Sequence, residues 1–470
     1  MLNLSIQLSK YFLVILITVY TVQCFAAVAS KTKLHRENIY QYQRAILFTI
    51  HFLCHMILFL ETRELRVLVY YALEVVLLGA AIILYQNLYR SLSKLILNNM
   101  LMLISIGFIM QARLNLNYAK RQLIIVGGAL GICLVIPVII DKMKVLSRFG
   151  WLYAAGGLGI LGLVFVCGVT HYGATNWAKI AGIEFQPSEV AKIVFVFCVA
   201  SLLAKVHDFR RVVLVSLVAG AHVLLLVYEK DLGAALIFFV TYICILYAAT
   251  ANPLYPLAGT AAGAAASVVA YKVFSHVRVR VTAWRDPWSV IDNEGYQVAN
   301  SLLAIGTGGW FGMGLGKGMP TSIPVVNSDF IFAAISEELG ALFAICLILI
   351  SLSNFLMFIN IAMRLRHKFY KLTALGLSVN YMFQVFLTIG GATKFIPSTG
   401  VTFPLVSYGG SSIISTVIVF AVIQGLYVLH QDEEEQIRKA EAEEEQRATQ
   451  MLPGAGGDAG KQERRRTLEQ

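Results

Sequence analysis

The stretch N-S-D-F-I-F-A-A-I-S-E-E-L-G, residues 327–340, puts a carboxylate, Asp329, where a polar loop turns into a long apolar run. Two more acids, Glu337 and Glu338, follow inside that run. A charged side chain in hydrocarbon is costly unless it is paired or faces water, so acids in such a setting mark chemistry or transport. Working outward, hydrophobic residues make up 58% of the 470 and charged residues 14%, against roughly 25% charged in ordinary soluble domains. Apolar runs near spanning length recur at 11–29, 45–60, 67–88, 95–110, 122–140, 151–169, 189–205, 212–228, 232–250, 254–274, 329–360, 372–390 and 404–429. These thirteen segments specify an all-α, polytopic membrane protein.

Lys and Arg in the short loops set the expected orientation. Lys31, Lys33, Arg36 and Arg44, then Lys142, Lys144 and Arg148, then Lys205, Arg210 and Arg211, then Arg364, Arg366, Lys368 and Lys371 share one parity, which is read as cytoplasmic. The N-terminus and the loops 170–188, 276–328 and 391–403 are then outside, and the C-terminal tail is inside. Ala27-Val28-Ala29-Ser30 resembles a signal-peptide cleavage site, but cleavage would invert every later loop against the charge pattern. Segment 11–29 is therefore read as a span.

The net charge of +11 is uneven. Residues 431–470 are acidic, and the basic excess before them lies mostly in the loops read as cytoplasmic, where insertion topology and anionic lipid account for it without nucleic acid. The tail reads as a solvated helix in its first half and disordered beyond. All seven cysteines lie in apolar runs without paired spacing, so they read as small buried hydrophobes and not as a disulfide frame or a zinc site.

The loops read as outer carry the chemical signal. The long connector 276–328 opens with Arg278 and Arg280, continues through W-R-D-P-W at 284–288, and ends in a glycine-rich run at 304–318. The glycines allow close approach of backbone to a ligand, or simple flexibility; Trp284, Trp288 and Trp310 suit an interfacial belt or sugar stacking. In F-Q-P-S-E-V-A-K, 185–192, Pro187 starts a helix with Glu189 at its positively polarised end and Lys192 one turn on. Lys192 needs a counter-charge or a wet cavity, and pairing with Asp329 is one expectation. Y-E-K-D-L-G at 228–233 forms a polar hinge, and P-L-V-S-Y-G-G-S-S at 404–412 brings Ser407 and Tyr408 to the start of the last span.

Taken in order, F-Q-P-S-E-V-A-K, D-L-G, D-P-W with G-Y-Q and the glycine-rich run, D-F-I-F-A-A-I-S-E-E-L-G and P-L-V-S-Y-G-G-S-S resemble the SEDS family (shape, elongation, division and sporulation), which includes RodA, FtsW and SpoVE. The resemblance covers about 95–430. It implies a ten-span core at 91–430, three extra spans within 1–90, and a charged tail at 431–470. It also implies a peptidoglycan glycosyltransferase of the bacterial plasma membrane that polymerises lipid II at the outer leaflet, in elongation, division or sporulation, with a class B penicillin-binding protein as partner. The essential Asp of the family maps onto Asp329, where a carboxylate can take the proton of an acceptor hydroxyl. Lys192, Glu189, Arg278, Arg280, Glu337, Ser407 and Tyr408 are the candidate substrate-binding residues. Glu337 is read as lying about 80° round a helix from Asp329, where it either lines the cavity more deeply or supports the bundle. A divalent cation, Mg2+ or Mn2+, has a place at the pyrophosphate, and no organic cofactor is expected. The chain departs from the family pattern at Val325, Asn327 and Asn176, where Glu, His and Arg are usual. A lipid II flippase, or a scaffold that activates the penicillin-binding protein, is the alternative.

Overall fold

The computed structural model describes residues 2–30, 32–171, 174–180, 182–206 and 208–450. Helices α1 (Leu2–Ala29), α2 (Lys33–Thr62) and α3 (Leu65–Leu88) precede α4 (Lys94–Leu114), α5 (Leu116–Cys133), α6 (Ile136–Lys142), α7 (Gly150–Gly162) and α8 (Val164–Cys167). A three-stranded antiparallel sheet follows: β1 (Gly168–His171), β2 (Ala174–Ile180) and β3 (Ile183–Phe185). Then come α9 (Pro187–Ala204), α10 (Phe209–Tyr228), α11 (Leu232–Thr250), α12 (Leu254–Val273), α13 (Ser275–Arg285) and α14 (Tyr296–Gly308). The chain closes with α15 (Ile331–Leu339), α16 (Ala341–Arg364), α17 (Lys368–Ala392) and α18 (Gly410–Gln450). Thirteen helical segments among the described residues are long and apolar enough to cross a membrane, as the sequence led us to expect.

Helix α4 is the axis of the bundle, with every residue from Leu95 to Ala112 buried. Its polar side chains find partners on the surrounding helices, as polar groups enclosed by protein and lipid must. Asn99 Oδ1 accepts from the Tyr20 hydroxyl at 3.1 Å and from the Cys24 thiol at 3.2 Å, and Asn98 Nδ2 donates to Gln43 Oε1 at 3.1 Å. At its start, the Ser93 carbonyl accepts from Gln424 Nε2 of α18 at 2.9 Å. These bonds hold α1 and α2 against the rest of the bundle. Tyr20 and Cys24 are buried and Ala27, inside the cleavage-like A-V-A-S, is 3% exposed, so α1 is an integral part of the packed molecule.

One sequence expectation needs correction. The span read at 329–360 is two helices, α15 and α16, parted at Gly340, whose φ is +92°. A Cβ there would lie 2.4 Å from the Gly312 nitrogen, so only glycine lets the two backbones cross. The loop 170–188 holds most of the small sheet, with Lys179 facing Glu184 across β2 and β3. The acidic tail continues α18 to Gln450, while 451–470, expected to be disordered, lies outside the described residues.

The crossing at Gly340 straps the glycine-rich loop to the break. Met313 and Gly314 N–H groups donate to the Glu337 and Glu338 carbonyls at 2.9 Å each, and Ala341 N–H donates to the Gly309 carbonyl at 2.9 Å. The side chains repeat the pattern. Glu338, fully buried, meets Arg113 at the end of α4 at 2.8 Å and accepts from the N–H groups of Gly316 and Gly318 at 3.2 Å each. Arg113 also donates to the Gly318 carbonyl at 3.1 Å. Breaking a buried pair by neutralising one partner costs about 3–5 kcal/mol, because the other charge is left uncompensated. Glu338→Gln is therefore expected to lower the thermal midpoint of the detergent-solubilised protein by several degrees, whereas a midpoint equal to wild type would show that the pair does not hold the loop.

Candidate active site

Asp329 sits in the turn just before α15, not within it. That turn is made by Val325 in the left-handed region at φ 56°, an uncommon and strained conformation for a β-branched residue. Its carbonyl accepts from the N–H groups of Ser328 at 3.1 Å and Asp329 at 3.2 Å. The loop before α18 clamps the same turn from the other side. Tyr408 N–H donates to the Asn327 carbonyl at 2.7 Å, and Ser407 Oγ donates to the Ser328 carbonyl at 2.5 Å. Gln111, from α4, adds a bond to the Asn327 carbonyl at 3.3 Å. Ser407 and Tyr408 thus fix the backbone that presents Asp329, with the Tyr408 ring 4.7 Å from that of Tyr118.

Arg280 of α13 shares a small space with Asp329. A Cβ built on Gly400 would lie 3.6 Å from Arg280 Nη2 and 3.6 Å from Asp329 Oδ2, so this glycine leaves the gap into which cation and carboxylate both point. Burial pushes the Asp329 carboxyl above its usual range, while a hydrogen bond from Ser328 and the charge of Arg280 oppose the rise. Burial likewise pulls Arg280 down, and Asp329 and Asp231 restore it in part. Helix α13 is docked beside the loop by the Trp284 indole, which donates to the Lys394 carbonyl at 3.1 Å.

Gly400 also lines a polar cavity of about 30 Å³ with Glu189, Lys192, Asp231 and Thr402. Two networks wall it. Asp231 accepts from Gln186 at 2.8 Å, Ser188 at 3.0 Å and Asn176 at 3.1 Å, and caps α11 through Ala234 N–H at 3.1 Å. Lys192 reaches Glu189 at 2.5 Å and Gln384 at 2.7 Å, and Glu189 accepts from Ser415 at 2.7 Å. The expected Lys192–Asp329 pair is therefore replaced: a partner one turn away on α9 takes the ammonium, and Arg280 is the cation nearest Asp329. Beside Asp231, Glu229 is buried without a hydrogen-bond partner for either carboxylate oxygen among the described residues, and burial raises it to about 8.

Other candidates lie elsewhere. Arg278 is exposed and donates to the Lys272 carbonyl at 2.9 Å. Glu337 is 6% exposed and accepts from Met319 N–H at 2.9 Å, so it holds the glycine-rich loop. The helical phase that was to bring it beside Asp329 does not apply, because Asp329 precedes the helix. Gln384 and Thr402 escaped the sequence reading; the one available signal was Gln384, an amide in an apolar span. Of the acids on this face, Asp231 and Glu189 already have donors, so Asp329 and the unpartnered Glu229 are the carboxylates that could hold a Mg2+ or Mn2+ ion, which would supply charge neutralisation.

A model of the FtsW, RodA and SpoVE family, described as cell cycle protein, matches residues 85–432. The peptidoglycan glycosyltransferase RodA of Mycobacterium tuberculosis is 34% identical over 322 residues, covering 63% of this chain and 67% of its own. The probable peptidoglycan glycosyltransferase FtsW of Aliivibrio salmonicida is 31% identical over 334 residues, covering 68% and 83%. A chain from a peptidoglycan synthase complex that coordinates polymerization and crosslinking superposes with a TM-score of 0.61 at 23% identity, covering 73% of this chain and 98% of that one. RodA of Thermus thermophilus gives a TM-score of 0.52 at 22% identity, covering 73% and 97%. At these identities the solved structures speak for the fold. With sequence match, fold and ordered motifs in agreement, the chain belongs to the FtsW, RodA and SpoVE family of cell cycle proteins.

Proposed function

We propose that this chain is a peptidoglycan glycosyltransferase that polymerises lipid II at the outer leaflet of a bacterial plasma membrane, with Asp329 as general base. The observation that carries the assignment of the base is the convergence of Asp329 and Arg280 on the space left by Gly400. In the reaction, the acceptor sugar 4-hydroxyl attacks the anomeric carbon of the donor. Its proton passes to the Asp329 carboxylate as the bond from that carbon to the polyprenyl pyrophosphate oxygen breaks. Single displacement converts an α-linked donor into a β-1,4 link. Arg280 offsets the charge gathering on the leaving pyrophosphate, as fixed cations in a partly desolvated site do. The Lys192–Glu189 and Asp231 networks shape the adjoining cavity, and the Lys and Arg parity of the loops supports the reading that this face and the N-terminus are outside and the C-terminus is in the cytoplasm. The solved complex that this fold resembles is a synthase joining polymerization to crosslinking, which supports a class B penicillin-binding protein as partner.

Supplying lipid II in detergent removes the leaflets and leaves only chemistry. Wild type, with its partner, is expected to make glycan polymer, and Asp329→Ala to lower the rate by about 10²-fold or more. Absence of polymer from wild type would return the chain to the flippase or scaffold readings.

The electrostatics also set a pH dependence. Asp329 acts as a base only when ionised, and burial raises its pKa, so kcat/KM is expected to fall on acidification at a pH above the ordinary Asp value of about 4. Arg280→Gln removes the charge that favours the carboxylate, so the acid limb is expected to move to higher pH. A limb that stays in place, or moves lower, would show that Arg280 does not act on Asp329.

A further inference from the structure

Outside the segment shared with the family, α2 and α3 bring together three side chains that the proposed glycosyl transfer does not use: His51, His55 and Glu74. All three are fully buried. Their potential ligand atoms lie within 4.8 Å of one another. Glu74 Oε2 is 3.2 Å from His51 Nε2 and 3.0 Å from His55 Nε2, and Glu74 Oε1 has no hydrogen-bond partner among the described residues.

The other ring nitrogens decide what these contacts are. His55 Nδ1 lies 2.9 Å from the His51 carbonyl, which can only accept, so Nδ1 carries the hydrogen. In a neutral ring Nε2 then presents a lone pair to the carboxylate, and something positive must lie between them. His51 Nδ1 is fixed in turn by Ser105 Oγ of α4 at 2.8 Å. This is the arrangement of metal-binding histidines, in which the nitrogen away from the metal bonds a carbonyl or another polar group and thereby sets the tautomer and the ring orientation. Spacing of four residues on one helix puts both imidazoles on the same face, as in helical zinc motifs. The Tyr71 ring covers the pair, with centroids 5.6 Å from each imidazole.

We propose that His51, His55 and Glu74 bind a divalent first-row transition-metal ion, with Zn2+ as the reference ligand. Two neutral imidazoles and one carboxylate supply three donors, leaving a fourth position for water. With His51 Nδ1 donating to Ser105 Oγ, one ion satisfies both Nε2 lone pairs and the carboxylate together. A proton alone leaves one carboxylate oxygen bridging both rings, either as an acid donating to His55 Nε2 or beside an imidazolium, with Glu74 Oε1 still unpartnered among the described residues. The bound ion clips α2 to α3 and, through Ser105, to the central helix α4, so the N-terminal extension is anchored to the polymerase core by metal.

The test uses the full-length protein, expressed in zinc-supplemented medium so that loading during folding is included, and purified in detergent through an affinity tag free of histidine. Metal content is read by plasma mass spectrometry. Wild type is expected to carry about one Zn2+ per chain, and His55→Ala and the isosteric Glu74→Gln to lose it at least tenfold. Ser105→Ala, which releases only the orienting bond, is expected to weaken Zn2+ binding by about 10- to 100-fold in a chelator competition. Wild type holding less than about a tenth of an ion per chain overturns the proposal and leaves a protonated His–Glu cluster. Metal content equal in wild type and Glu74→Gln overturns it too. The wild-type reading stands whether or not the variants fold.

Discussion

Glu338 is a carboxylate without solvent exposure, and the shape of the site depends on its being neutralised where it stands. Arg113 supplies the charge from the last turn of α4, where a cation is also favoured by the helix dipole. The N–H groups of Gly316 and Gly318 supply the remaining bonds. Because those two glycines belong to the loop leading into the Asp329 turn, one ion pair couples the most buried of the spanning helices to the segment that presents the proposed base. Glu337 adds a second tie through Met319. Two of the three acids that enter the apolar run therefore hold the loop, and the third is left for chemistry.

Asp329 is held almost entirely through its neighbours' backbone. Carbonyls of Val325, Asn327 and Ser328 take bonds from Asp329 itself, Tyr408, Gln111 and Ser407. This explains how the turn accommodates Val325 and Asn327 where the family usually has Glu and His: the bonds that shape it fall on main-chain oxygens, whatever side chains stand there. The side chain of Asp329, which takes a bond from Ser328, faces Arg280 across Gly400. The other departure, Asn176, has a definite contact, since it reaches from β2 to Asp231 and joins the sheet to the polar hinge.

Thirteen spans were legible because an apolar run of sufficient length has few alternatives to a membrane helix. The break at Gly340 was not, since hydropathy continues through it and only the close crossing with Gly312 reveals why the helix must stop. Lys192 and Glu189 were visible one turn apart, yet local spacing could not decide between that partner and Asp329. The choice is made by Gln384 and Ser415, brought in from α17 and α18. The histidines of α2 had a readable spacing, but the carboxylate they meet is on the next helix. Motif order, by contrast, was enough for the family, because five local patterns in sequence do not depend on tertiary contacts being known.

The role proposed for Asp329 is to take the proton of the acceptor and not to hold substrate or scaffold together. Measuring lipid II affinity and the single-turnover polymerisation rate in parallel for Asp329→Asn, which keeps the shape of the side chain and removes its basicity, separates these roles. The account predicts affinity close to wild type with the rate lower by about 10²- to 10⁴-fold. A wild-type rate, or a loss of affinity that accounts for the whole loss of rate, would contradict it.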